Sequence, residues 1–280
     1  MVDNRLIPIK DESSLAFNEL FDRLGTLDLY IDIMVPKFKE KLNIKENKKF
    51  AILVRNNFNG NLIHKNLKTP NKHFKDTVLD SSSELWARIF TDTLFYIFDE
   101  NEMIDAFLEK WNIYEIAQNT KNSIISKLLK LKNTNIEDLK SEILTFEEIS
   151  KLLYPNNKSI STINSLQKIL ENPDDLRSYI PVKDDELQIM TLHKSKGLEF
   201  DVIFHLDLYS YIIPSFGAYD NVTQWNEDLN LHYVGITRAK QVCFLLSSTQ
   251  RLRPDKPALN AKVSEFLSLN NLEEYRHNYK

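Results

Sequence analysis

The chain has 280 residues, 42% of them hydrophobic, and a formal net charge of −4. That apolar share excludes a disordered chain, and the charge excludes a uniformly basic nucleic-acid binder. Apolar runs such as Phe50–Val54 and Val202–Phe204 fall far short of the ~20 residues a membrane span needs.

The single cysteine, Cys243, rules out an internal disulfide framework and argues against a cysteine-based zinc site. The amino-terminal residues show no apolar secretory segment, so the cytoplasm is the expected compartment. Residues 11–42 read mostly as helix, with Leu15, Leu20, Phe21 and Leu24 at helical spacing and Pro36 as a local break. Phe50–Val54 is a continuous apolar run and reads as a buried parallel strand. Asn56–Asn61 supplies turn residues, Gly60 among them. Charge is uneven here: Lys41–Lys75 holds nine Lys or Arg against the single acid Glu46.

Residues 84–171 read as helix almost throughout, with Leu85, Ile89, Leu94, Ile97 and then Ile104, Phe107, Leu108, Trp111 at helical spacing. Leu94–Glu100 imitates an apolar strand ending in Asp-Glu, but it lies inside this helical periodicity and is read as a helix end. Trp86 and Trp111 are expected in the core. Past Pro181 the pattern changes: 187–192, 201–206 and 242–247 read as strands, Tyr209–Asn230 as irregular and Leu231–Lys240 as a short helix. Alternating strands and helices predict a parallel α/β sheet containing 50–54, with the intervening helices as an insertion.

Only five glycines occur, at 25, 60, 197, 217 and 235. No pair stands five apart before Lys-Ser/Thr, so no phosphate-cradling P-loop is present, and no dinucleotide fingerprint either. Two stretches still carry chemistry. Thr191–Phe200 joins two strands through the polar loop His193-Lys-Ser-Lys-Gly197, where His193, Lys194 and Lys196 suit phosphates. Gly197 allows close backbone approach, and Glu199 can accept from a ribose hydroxyl. In Tyr233–Ala239, Arg238 is placed at a helix start, where an arginine can stabilise a transferring phosphoryl group. By themselves these residues suit a solvated loop and an ordinary surface arginine better than a nucleotide site.

Together the two stretches resemble motifs V and VI of UvrD/Rep-family superfamily 1 DNA helicases, whose patterns T-L-H-x-x-K-G-L-E-F and Y-V-G-I-T-R-A they match in order. Phe50–Asn57 resembles the family's strand-plus-arginine element, motif IVa. The resemblance implies a RecA-like parallel sheet without a P-loop, the second motor domain of a helicase, at 1–75 and 180–280. A helical insertion would occupy 76–179. It implies Arg238 at the γ-phosphate of ATP, Glu199 at the ribose and Gly197 beside the nucleotide. Arg55, Asn57, His193 and Thr191 would contact single-stranded DNA.

ATP with Mg²⁺ is the implied cofactor, and translocation would run 3′ to 5′. The Mg²⁺ ligands and P-loop belong to a first RecA-like domain, which the chain is expected to follow and to need as a partner. No metal site and no ATP hydrolysis by the chain alone are expected. The alternatives are a non-catalytic module binding single-stranded DNA or a partner, and a helicase-like subunit of a nuclease or defence complex.

Overall fold

A computed structural model describes residues 6–7, 27–100, 103–253 and 256–269. The helix expected over 11–26 lies outside them. In chain order the elements are β1 (Leu6–Ile7), α1 (Leu27–Leu42), β2 (Phe50–Val54), α2 (Asn57–Asn66) and β3 (Asn71–Phe74). Then come α3 (Leu85–Phe98), α4 (Ile104–Lys110), α5 (Gln118–Lys132), α6 (Ile143–Leu153), α7 (Ile160–Glu171) and α8 (Pro173–Leu176). The chain finishes with β4 (Leu187–Thr191), β5 (Phe200–His205), α9 (Val222–Thr237), β6 (Ala239–Leu245), β7 (Gln250–Arg253) and β8 (Lys256–Asn260). Contacts divide the chain into two compact units, one holding the described residues up to Phe74 and from Val182, the other Lys75–Pro181.

The first unit is built on a six-stranded sheet of order β1-β6-β5-β2-β4-β3, with every neighbouring pair parallel. This is the α/β, RecA-like arrangement. β2 is apolar at all five positions because both of its faces are covered. Successive side chains alternate faces. Phe50, Ile52 and Val54 join Tyr30, Ile31, Met34, Val35 and Phe38 of α1 on one side. Ala51 and Leu53 join Met190, Ile203 and Cys243, with Trp225, Leu229 and Ile236 of α9, on the other. Phe244 anchors the first face, stacked on Phe204 at 5.0 Å and edge-on to Phe38 at 4.8 Å. Cys243 is buried, and burial pushes its thiol up to about 12, so it is inert.

Several local expectations are corrected. Pro36 does not break α1, because the buried stripe Tyr30–Phe38 holds the helix across the missing donor. Asn56–Asn61 is no turn: the Asn56 side chain accepts from the Asn59 N–H at 3.0 Å and starts α2. The second half of 209–230 is helical too, since the Asn221 side chain caps α9 by accepting from Thr223 and Gln224. The short helix expected over 231–240 is therefore the last part of a 16-residue helix ending at Thr237.

The second unit is all helical. Trp86, Phe90, Leu94 and Ile97 of α3 pack with Phe107, Ile124, Leu128, Phe146, Ile149 and Leu166. Trp86 donates through its indole N–H to the Tyr154 carbonyl at 2.9 Å, which satisfies a polar group in that core. Asp99 caps the end of α3, so the apolar run before Asp99-Glu100 is helix and not strand. Among the described residues no helix is long and apolar enough to cross a membrane.

Candidate functional site

The candidate residues fall at two opposite edges of the parallel sheet. At the carboxyl edge, β4, β2 and β5 lie side by side, with Val54 in register with Thr191 and Leu53 with His205. Pairing continues one residue further, where the Leu192 N–H donates to the Val54 carbonyl and the Leu206 N–H to that of Leu53, both at 2.9 Å. Arg55, Asn57 and His193 therefore emerge from adjoining strand ends, the edge where open α/β sheets bind ligands.

Two buried carboxylates organise this edge. Asp207 accepts from the Arg55 backbone N–H and from the Asn59 side chain, each at 2.7 Å. It sits in the left-handed region, φ 64°, which aspartate tolerates better than most residues. Burial pushes its carboxyl above the usual range, and the two donors oppose that shift. Asp228, on α9, accepts from the Ser215 N–H at 2.8 Å and hydroxyl at 2.5 Å. Its other oxygen lies 3.4 Å from the Arg55 guanidinium. Arg55 is thus held at its backbone by one carboxylate and at its head by the other.

Thr191 is buried, and its hydroxyl accepts from the Lys194 N–H at 3.3 Å. Ser195 closes the same turn by donating to the Leu192 carbonyl at 2.8 Å. These bonds fix the loop that leaves His193 exposed at its top.

That loop then crosses to the amino edge, turning at Gly197, whose φ of +86° a side chain would strain. Glu199 and Arg238 precede β5 and β6 there, and the Phe200 N–H donates to the Arg238 carbonyl at 2.9 Å. Glu199 pairs with Lys240 at 3.2 Å, both side chains more than half exposed. Arg238 stands at the C-cap of α9, not at a helix start, where a cation complements the helix dipole. Its Nη1 reaches the Leu198 carbonyl at 3.4 Å and its Nη2 the Thr237 hydroxyl at 3.3 Å. Its Nε is buried and has no hydrogen-bond partner among the described residues. A buried guanidinium donor left unmade is costly.

α9 joins the two edges. Asp228 and Arg238 are ten residues apart, about 15 Å along a helix. Between them Gly235 gives the close approach to the sheet: a β-carbon there would lie 2.6 Å from Leu192 Cδ2 and 2.8 Å from His205 Nε2. His205 is fully buried, with Nδ1 3.1 Å from the Leu206 carbonyl and Nε2 3.1 Å from His232 Nδ1. A carbonyl can only accept, so His205 carries its proton on Nδ1 and its Nε2 accepts a hydrogen bond from the His232 Nδ1–H. Burial, reinforced by His232, holds His205 well below the usual histidine range.

Asp207, Asp228 and Ser215 were not singled out by sequence reasoning. Their only sequence signal is an acid after an apolar strand and another on what reads as a loop. Among the described residues no group of three or more His, Cys, Asp or Glu is placed to hold a metal ion.

Comparison with known proteins bears on the family. The UvrD-like helicase C-terminal domain family matches residues 98–250. An ATP-dependent DNA helicase UvrD1 of Mycobacterium tuberculosis is 30% identical over 178 residues, covering 60% of this chain and 22% of that protein. An ATP-dependent DNA helicase Rep of Buchnera aphidicola is 29% identical over 240 residues, covering 74% of this chain and 36% of that one. The ATP-dependent DNA helicase PcrA of Bacillus subtilis is 27% identical over 152 residues, covering 54% of this chain and 19% of its own. The chain thus spans roughly a fifth to a third of the length of these relatives. With more than half of its residues matched, the chain belongs to the UvrD-like helicase C-terminal domain family.

Proposed function

We propose that this chain is the second half of an ATP-driven motor that moves along single-stranded DNA in the 3′ to 5′ direction. The observation that carries the reading is the buried Nε of Arg238, without a partner among the described residues, at the edge opposite Arg55, Asn57 and His193. A first RecA-like domain bearing the P-loop and the Mg²⁺ ligands would complete the nucleotide site. Bound between the two domains, ATP with Mg²⁺ supplies the phosphoryl group whose transfer to water drives the cycle.

Arg238 donates to the γ-phosphate and balances the charge that develops there. Glu199 turns from Lys240 to accept from the ribose. Gly197 leaves room for the nucleotide against the backbone. At the far edge Arg55 and Asn57 grip phosphates without reading sequence. His193 contacts the strand from the crossing loop, with Thr191 fixing that loop from below. The loop Leu192–Glu199 and α9 both run from one edge to the other, so a shift at Arg238 is passed to the DNA grip. The relatives, whose names describe them as ATP-dependent DNA helicases, support the same reading.

The test is ATP turnover by the purified chain, alone and with a P-loop domain of a UvrD-like helicase fused ahead of it, with and without single-stranded DNA. We expect no turnover alone and DNA-stimulated turnover in the fusion. A fusion that folds, binds ATP and never turns it over would overturn the reading.

A further inference from the structure

α9 meets the sheet through a polar seam. Its buried residues are Asp228, His232 and Gly235, which share one face at i, i+4 and i+7. The apolar Trp225, Leu229 and Ile236 flank that seam and are only partly buried. A helix docked by apolar burial alone would turn its apolar stripe to that line, because a buried polar group costs unless it is hydrogen-bonded.

The middle of the seam is a histidine pair. His205 and His232 are 0% and 3% exposed. Both ring nitrogens of His205 are engaged, Nδ1 with the Leu206 carbonyl and Nε2 with His232 Nδ1, each at 3.1 Å. Burial keeps His205 neutral, so its Nε2 remains an acceptor. From the other side the buried ring of Phe266 lies against His232, with centroids 6.0 Å apart and planes at 29°. Gly235, one turn further on, brings the backbone of α9 down onto the same imidazole.

Apolar contact has no direction, so the flanking side chains tolerate a small slide or rotation of the helix. A hydrogen bond does not: it weakens steeply off its line, and a buried one left unmade is costly. A slip of one residue along a helix is about 1.5 Å, enough to open the bond between the two imidazoles. We propose that His205 and His232 are positioning residues whose hydrogen bond fixes the register of α9 on the sheet, and through it the places of Asp228 at one edge and Arg238 at the other. This rests on the functional reading above and adds to it the contact that sets the geometry of both ends. Neither histidine touches the strand or the nucleotide.

The experiment measures ATP turnover, single-stranded DNA affinity and urea stability in the P-loop fusion. His205→Leu combined with His232→Leu removes both polar partners together, which leaves stability nearly unchanged and frees the register. We expect kcat to fall about ten- to hundred-fold, the effect of a displacement near 1 Å. KM for ATP should stay within about two-fold, because Glu199 and Gly197 lie off α9, and DNA affinity should fall with kcat as Asp228 leaves Arg55. His232→Asn, which keeps an N–H donor near the place of Nδ1, should recover most of kcat, and His232→Leu should not. A merely structural role would move stability and turnover together and would not separate kcat from KM.

A parent fusion that folds, binds ATP and never turns it over would overturn the functional reading and the histidine pair with it. With an active parent, full turnover in a folded double variant would overturn the pair alone. Equal loss in His232→Asn and His232→Leu would do the same, and that comparison decides the matter if the double variant does not fold.

Discussion

The two edges of the sheet are built in opposite ways. At the carboxyl edge every charge that matters is held inside the chain: Asp207 and Asp228 are buried, and both grip Arg55. At the amino edge Glu199 and Lys240 are mostly solvated, and Arg238 keeps a buried donor with no partner among the described residues. A finished edge and an unfinished one teach where the chain is self-sufficient. On the proposed reading, the strand grip is assembled by this unit, whereas the nucleotide side awaits a second domain.

That contrast can be broken first at Asp228. Asp228→Ala removes three hydrogen-bonding contacts and strands a partly buried guanidinium. Loss of about 3 kcal/mol of unfolding free energy is expected in urea titration, as for breaking a buried pair from one side. Single-stranded DNA affinity should fall with it, and Asp228→Glu should recover part of both. Unchanged stability would mean that the carboxylate does not organise this edge.

A smaller effect is expected from the buried histidine under α9. His205 is held neutral in the folded chain, while the unfolded side chain protonates near 6.5. Below that pH the unfolded state binds the extra proton, so stability is present above about 6.5 and is lost as pH falls. By linkage His205 makes the folded chain less stable as pH falls below about 6.5. His205→Leu, though less stable at neutral pH, should show a flatter decline over that window. An equally steep decline in the variant would assign the acid sensitivity elsewhere.

The smallest effect is at the open edge. Lys240→Ala breaks an exposed ion pair with Glu199, and we expect a change in unfolding free energy of less than about 0.5 kcal/mol. A loss as large as that of Asp228→Ala would remove the distinction between the edges.

Much of the sheet was legible because its central strands are buried on both faces, which leaves an unbroken apolar run at 50–54 and mainly apolar segments at 187–192 and 201–206. β3 was not legible. Asn71-Lys-His-Phe74 is polar, yet as an edge strand it pairs only with β4, and Lys72 and His73 are buried without being apolar. The start of α9 was hidden for a similar reason: Thr223, Gln224, Asn226 and Glu227 face away from the core, and only Trp225 and Leu229 mark the packed stripe.

The candidate residues stood out in the sequence through the resemblance of 191–200 and 233–239 to two family motifs. Their division between two edges did not, because His193 and Glu199 are six residues apart in sequence while the loop carries them to opposite ends of the strands. Asp228 could be found only by seeing which buried carboxylate faces Arg55.

The most direct test of the central claim is ATP turnover by the P-loop fusion carrying Arg238→Ala, measured beside its affinity for single-stranded DNA. The account predicts turnover reduced by about 10³-fold or more, with DNA affinity within about two-fold of the parent, as expected when no phosphate contact is lost. Normal turnover in that variant would contradict it, because the unfinished edge would then have no part in hydrolysis.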